Sequence, residues 1–297
     1  MTAILVNRSQ TTTEARCVVV VSVKAFGDLV IAVNCCERAQ QQSGMQITLL
    51  IGQHLLPLYK ALKTSLRCRV ALHADAGMPA LFEIRKAGFA AAAKSAGALR
   101  RSIGDVGLPG NAMLLFDRRS LREAYITQHW PFEIIPDAGN IYLAYDKWFG
   151  TRGTATTLAD PRTGSLRIFP GSRMLAKNLP LSLIVEISDF ARLLGLTVEL
   201  MLLDGERPDL EASGLDHVII PRDFGAMIDA VRGAGLVVSA DSMPAHIAEM
   251  VGRSAFVFSP VSNRYWLPRT TYLKGWDALF EDGAGASTLA AFFNRVA

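Results

Sequence analysis

Three short stretches of the sequence carry side chains able to do chemistry, and each follows an apolar run that reads as a strand. The first is Gly27-Asp28. A glycine lets the chain turn at a strand end, and the aspartate after it can either cap a helix or act as a general base at the mouth of a sheet. A base at that point works against the helix N-terminus, which favours the ionised, weakly basic form unless burial opposes it. The second stretch is Gly171-Ser172-Arg173, followed by Lys177. Gly171 permits close backbone approach, Ser172 offers a hydroxyl and an N–H, and the two cations add charge. That is an anion cradle or, equally, a capped helix start with two solvated cations. The third is Asp241-Ser242-Met243-Pro244-Ala245-His246. Ser242 is a good N-cap, and Pro244 suits a first helical turn. The N–H groups of that turn can hold a diphosphate, with His246 one turn further on the side of Ser242. The alternative is a capped helix and one core histidine.

Such stretches need a scaffold that brings strand ends together. Apolar, β-branched runs predict strands at 17–23, 46–51, 68–72 and 112–116. Helices are expected at 28–42, 55–63 and 120–129, with one or two Ala-rich helices over 79–100. Residues 151–165 hold Gly, Thr and Pro without periodicity and read as a linker. Strands follow at 166–169, 197–203, 217–220, 236–240 and 255–258. Between them stand helices at 181–194, 223–232 and 242–251; Leu183, Ile187, Phe190 and Leu194 form one stripe of the first. Strand–helix alternation of this kind implies parallel sheets covered on both faces. Residues 17–150 then form an N-terminal α/β domain and 166–285 a C-terminal one. Residues 1–16 are a disordered tail, and 286–297 a terminal helix packing back toward the N-terminal domain. Ligands of such sheets bind beyond the carboxyl ends of strands, so the cleft between the domains is the expected site.

Composition excludes other classes. The chain has 297 residues, of which 50% are hydrophobic and 20% charged, with a net charge of +4. This is neither a disordered chain nor a dedicated nucleic-acid binder. No apolar run approaches the ~18 residues of a membrane span. Cys17, Cys35, Cys36 and Cys68 form no Cys-x-x-Cys pair and read as buried, reduced thiols. The sequence has no Gly-x-x-x-x-Gly-Lys-Ser/Thr, no Gly-x-Ser-x-Gly and no His-Glu-x-x-His. Gly27 stands alone where a dinucleotide fold needs three glycines, and no acidic residue follows Gly52 to hold a ribose. His246 and Glu249 are too few for a metal site.

In their order the three stretches resemble glycosyltransferase family nine, the ADP-heptose:lipopolysaccharide heptosyltransferase-like enzymes. The resemblance rests on Gly27-Asp28-Leu29-Val30-Ile31-Ala32, on Pro170-Gly171-Ser172-Arg173 with Lys177 and Pro180, and on Asp241, Ser242, His246, Gly252 and Pro260. It implies a GT-B fold: two doubly wound parallel-sheet α/β domains facing a cleft, with acceptor on the first and nucleotide-sugar on the second. The implied reaction is inverting transfer of heptose from ADP-heptose to the lipopolysaccharide inner core, without metal or cofactor. The implied setting is cytoplasmic, at the inner face of the inner membrane. By the resemblance Asp28 is the base and Lys177 a donor-phosphate contact. Gly171, Ser172, Arg173, Asp241, Ser242, Met243 and His246 belong to the donor loops, and Glu206 holds the nucleoside. Three departures stand out. Met243 replaces a usual glycine, the usual proline of the first helix is absent around Asn34-Cys35, and the acceptor-side half is short.

One physical feature favours an anionic glycolipid acceptor at a membrane surface. Between Glu83 and Arg122 lie eight basic residues against three acidic ones. Lys94, Arg100, Arg101, Arg118, Arg119 and Arg122 make up most of this basic patch. A solvated helix face is the plainer reading. Two rival functions remain open on the sequence. One is a GT-B transferase using another nucleotide-sugar on a protein or polysaccharide. The other is a non-catalytic nucleotide-sugar-binding relative, favoured by Met243 and the short first half.

Overall fold

A computed structural model describes residues 17–117, 121–127, 130–151, 164–285 and 287–294. The expected tail, Arg118, Arg119 and residues 152–163 of the expected linker lie outside the described residues. Two all-parallel sheets account for the strands. The first contains β1 (Val18–Ser22), β2 (Ile47–Gly52), β3 (Ala71–Met78), β4 (Met113–Phe116) and β5 (Phe132–Ile134), in the order β3-β2-β1-β4-β5. The second contains β6 (Ser165–Phe169), β7 (Thr197–Leu203), β8 (His217–Ile220), β9 (Leu236–Ala240), β10 (Ser254–Ser259) and β11 (Asp277–Leu279), in the order β11-β10-β9-β6-β7-β8. This is the two-domain, doubly wound GT-B architecture.

Strand order reverses between β1 and β4 in one sheet and between β6 and β9 in the other. In open α/β sheets the crevice forms at such switch points, beyond the carboxyl ends. The residues that follow those four strands are therefore the ones the fold exposes for chemistry. Asp28 lies six residues past β1, Asp117 directly after β4, Gly171 two residues past β6 and Asp241 directly after β9.

Burial explains why the central strands carry unbroken apolar runs. Every residue of β1, β9 and β10 is buried. Val18 and Val20 pack with Leu29 and Val33 of helix Phe26–Ser43, while Val19 and Val21 pack with Leu99 and Ile103 of helix Phe89–Asp105. Successive side chains of a strand point to opposite faces, so one run serves two layers. The layer of Val18 and Val20 continues into the second domain through Ile228, Val231, Ile247 and Ala248. Helix Phe26–Ser43 lies against helix Met243–Met250, and helix Leu56–Leu66 against helix Phe224–Arg232. The two domains thus share a core layer.

Several elements differ from the sequence-based expectation. The terminal helix, Ser287–Asn294, does not return to the first domain. Its Leu289, Phe292 and Phe293 are buried with Phe256, Phe258 and Trp276 in the core of the second. The element that crosses between domains is helix Ile141–Phe149, which the sequence-based expectation did not include. Its N-cap Asn140 accepts from the Tyr142 N–H at 3.0 Å and donates to the Leu267 carbonyl at 2.9 Å. Asp146, near its end, meets the fully buried Arg269 at 2.8 Å. The third strand starts at Ala71 rather than at residue 68. Of the one or two helices expected over 79–100 the structure has two, Ile84–Ala87 and Phe89–Asp105, parted at Gly88, whose φ of 80° suits glycine. The edge strands β5 and β11, three residues each, were too short to show a period. No helix among the described residues is long and apolar enough to cross a membrane.

Candidate active site

A cleft of about 660 Å³ opens between the facing carboxyl ends of the two sheets. Asp28 lines it from the first domain. Gly171, Ser172, Arg173, Lys177, Glu206, Asp241, Ser242, Met243 and His246 line it from the second. Ten residues spread over more than two hundred positions are thereby brought to one cavity.

On the first-domain wall, the helix begins at Phe26, with Ala25 as an extended N-cap that has no side-chain bond. Asp28 is therefore a first-turn residue, not the cap itself. Burial pushes its carboxyl up to about 7; Asp117 and Glu83 push the same way, and Lys24 and the Ala25 backbone oppose them. Burial outweighs the helix N-terminus, and the group acquires a basicity suited to neutral pH. Lys24 pairs with Asp117 at 3.5 Å and with the buried Glu123 at 3.2 Å. Burial lowers the Lys24 pKa, but Asp117, Glu123 and Asp28 together raise it, so it stays charged.

On the second-domain wall, Lys177 Nζ lies 2.6 Å from Asp241 Oδ2, and Asn263 Nδ2 donates to the same oxygen at 3.3 Å. Asp241 therefore holds the lysine at the mouth of β9. Ser242 does not cap helix Met243–Met250 with its side chain. Its hydroxyl donates to the Gly171 carbonyl at 3.1 Å and ties the loops after β6 and β9 together. Ser172 is likewise used internally. Its N–H donates to Asn178 Oδ1 at 2.7 Å and its Oγ accepts from the Met174 N–H at 3.3 Å, so its N–H is not free for a ligand. Gly171 faces the Glu206 carboxylate so closely that a Cβ would collide with it. Burial raises the Glu206 pKa against the pull of the Leu203 backbone, Arg222 and Arg207. Arg173 is exposed at the rim, and Met243 is half-buried at the start of its helix.

His246 is buried beneath this wall and meets the Tyr142 hydroxyl at 3.1 Å through Nδ1. Burial pushes its pKa down to about 4, with Asp241 opposing and Lys177 assisting, so the ring is neutral at pH 7. Phe26 and Phe224 close the cleft between domains, with ring centroids 5.1 Å apart.

The described part of the basic patch lies outside the cleft. Lys94 and Arg101 are exposed on helix Phe89–Asp105, Arg100 lies 4.6 Å over the Tyr125 ring, and Arg122 donates to the Phe82 carbonyl at 2.7 Å. None of these four lines the cleft, which this segment reaches through Glu83 and Asp117. The first-domain wall is in fact mainly acidic, with Asp28, Glu83 and Asp117 around Lys24. Sequence reasoning missed Lys24, Asp117, Asn263 and Tyr142. Asp117 had a usable signal, a carboxylate directly after a strand. Asn263 and Tyr142 had none, because their partners are distant in sequence.

The cleft thus sets a carboxyl poised near neutrality on one domain against a lysine and a helix N-terminus on the other, an arrangement suited to proton removal on one side and anion binding on the other. No protein-family model and no curated protein sequence matches the chain. Solved structures do. The Escherichia coli heptosyltransferase WaaC with ADP-2-deoxy-2-fluoro heptose aligns over 95% of this chain and 100% of its own, with TM-score 0.59 and 14% identity. A family 9 glycosyl transferase from Veillonella parvula aligns over 91% and 88%, with TM-score 0.58 and 14% identity. The E. coli ADP-heptose lps heptosyltransferase II aligns over 88% and 89%, with TM-score 0.52 and 14% identity. The chain has the GT-B fold of the family-nine heptosyltransferases.

Proposed function

We propose that the protein is an inverting, metal-independent glycosyltransferase that moves a sugar, heptose from ADP-heptose, onto an anionic glycolipid such as the lipopolysaccharide inner core. The observation that carries this reading is the meeting of Asp28 with the Lys177–Asp241–Ser242 wall in one interdomain cleft. Asp28 removes a proton from an acceptor hydroxyl as that oxygen attacks the anomeric carbon. The nucleoside diphosphate departs toward Lys177 and the N-terminus of helix Met243–Met250, which stabilise the developing charge. Glu206 holds the nucleoside end, and Arg173 adds positive charge at the rim. The solved heptosyltransferase with an ADP-heptose analogue supports that donor. The anionic part of the acceptor is taken up by the basic residues Lys94, Arg100, Arg101 and Arg122, beside the inner face of the inner membrane, while its hydroxyl reaches past Glu83 to Asp28.

A second reading has one observation in its favour. The acidic first-domain wall suits an uncharged, hydroxyl-rich acceptor, as in a GT-B transferase acting on a protein or polysaccharide. One experiment separates the two: thermal-shift and transfer assays with ADP-, UDP-, GDP- and TDP-sugars, each with and without EDTA, followed by acceptor competition. The proposal expects selective stabilisation by ADP-heptose, by about 2.7 kcal/mol at a hundred times its Kd. It also expects transfer to a phosphorylated glycolipid with inverted anomeric configuration, and no effect of EDTA. Dependence on a chelatable metal or selectivity for another base would refute it. Binding without turnover would point to the non-catalytic alternative.

A further inference from the structure

The Tyr142 hydroxyl and the His246 imidazole meet across the domain interface at 3.1 Å. Tyr142 stands in helix Ile141–Phe149 of the first half, His246 in helix Met243–Met250 of the second, and both are buried. Two proton arrangements fit such a contact. Either the phenol donates to Nδ1, or Nδ1–H donates to the phenol oxygen. The second would leave the phenolic proton to find another acceptor in a site closed to water, at the cost of an unsatisfied buried donor. Burial keeps the phenol protonated and the ring neutral, so Nδ1 can accept. The remaining proton of a neutral imidazole then sits on Nε2. That edge of the ring faces Gly27, where a Cβ would lie 3.4 Å from Cδ2 and 3.8 Å from Nε2. Gly27 and His246 both line the cleft.

We propose that Tyr142 is a positioning residue: its hydroxyl holds His246 in the Nε2–H tautomer and aims that N–H into the cleft beside Gly27-Asp28, as a neutral donor to an oxygen of the bound nucleoside diphosphate. The identity of the ligand rests on the function proposed above; the tautomer does not. The pair forms only when the two halves of the chain are docked. Helix Ile141–Phe149 is held in that dock from both ends. At the start, Asn140 donates to the carbonyls of Leu267 (2.9 Å), Arg264 and Tyr265 (both 3.3 Å); at the other end, Asp146 pairs with Arg269. The interface and the ligand site are thereby joined through one hydrogen bond.

Tyr142→Phe tests this, since it deletes the hydroxyl and keeps the ring that Arg269 covers at 5.3 Å. Two-bond 1H–15N spectra of the imidazole nitrogens should show His246 as Nε2–H with a hydrogen-bonded Nδ1 in the unmodified protein. In Tyr142→Phe the Nδ1 resonance should move toward that of a free imine nitrogen, and the Nδ1–H tautomer should appear. In transfer assays kcat should fall roughly 2- to 12-fold, as for one neutral hydrogen bond, with donor KM little changed. Tyr142→Phe added to His246→Ala should cost nothing further, because the two act as one unit. An Nδ1–H tautomer in the unmodified protein, or an unchanged tautomer in the variant, overturns the proposal whatever the activity. Additive losses in the double variant overturn the coupling. Absence of transfer with every nucleotide-sugar would instead count against the proposed function, and the spectra would still decide the tautomer.

Discussion

Asp28 is a carboxyl whose surroundings set both its chemistry and its stability cost. With its pKa raised to about 7, transfer should rise through an apparent pKa near 7 and level off above it. Asp28→Asn should lower turnover by roughly 10²- to 10⁴-fold and leave donor affinity unchanged, which initial rates and ADP titration would report. The stability effect runs the other way. A folded pKa above the unfolded value of about 4 means that the native state holds its proton more tightly, so the contribution is complete below pH ~4. It is lost as pH rises toward 7, where the buried carboxylate must ionise. Asp28→Asn stays neutral throughout. Its melting temperature should match the unmodified protein's only below about pH 4 and exceed it by a margin that grows from there to about pH 7. A difference that does not change with pH would contradict the assigned environment.

At the scale of elements, two contacts are decisive. The loop after β6 approaches the Glu206 carboxylate at Gly171 so closely that an added Cβ would require that carboxylate to turn aside. Gly171→Ala should turn the flexible end of Glu206 aside at a cost below about 1 kcal/mol in urea unfolding, and adding Glu206→Ala should remove that cost, because the obstacle is then gone. Helix Ile141–Phe149 is pinned by Arg269, which is fully buried and lies 2.8 Å from Asp146 and 3.7 Å from Glu249. Removing one partner of a buried ionic cluster leaves the others uncompensated. Arg269→Met should therefore destabilise the protein by about 3–5 kcal/mol, measured by equilibrium denaturation. A loss below 1 kcal/mol would show that this cluster does not hold the domains together.

For the whole molecule, the switch points of two parallel sheets face each other across a cleft, while the basic surface lies beside that cleft instead of within it. If that surface carries the anionic part of the acceptor, Arg100→Glu with Arg101→Glu should raise acceptor KM several-fold, weaken its dependence on salt, and leave donor affinity unchanged. Kinetics at two ionic strengths would show this. An acceptor KM indifferent to both reversals would favour the uncharged acceptor that the acidic wall suits.

Much of this architecture was legible without coordinates, for local reasons. The runs at 17–23 and 236–240 are continuously apolar because those strands are covered on both faces, and Asp28, Gly171 and Asp241 follow strands directly enough to be placed at sheet ends. Periodicity records which residues are buried, not against what. It could not show that Leu289, Phe292 and Phe293 bury into the second domain, since the same stripe would fit either core. Nor could it show that Ser242 bonds Gly171 instead of its own helix, or that Tyr142 reaches His246 across 104 positions. The basicity of Asp28 belongs to the same class. The residue type supplies a carboxyl of ordinary strength, and only its burial at the cleft wall, reinforced by Asp117 and Glu83 against the pull of Lys24, turns it into a group that titrates near 7. The sequence by itself determined the elements and the positions available for chemistry. The tertiary structure decided which of them meet and how strongly each holds its proton, because both depend on distances and burial that no local pattern encodes.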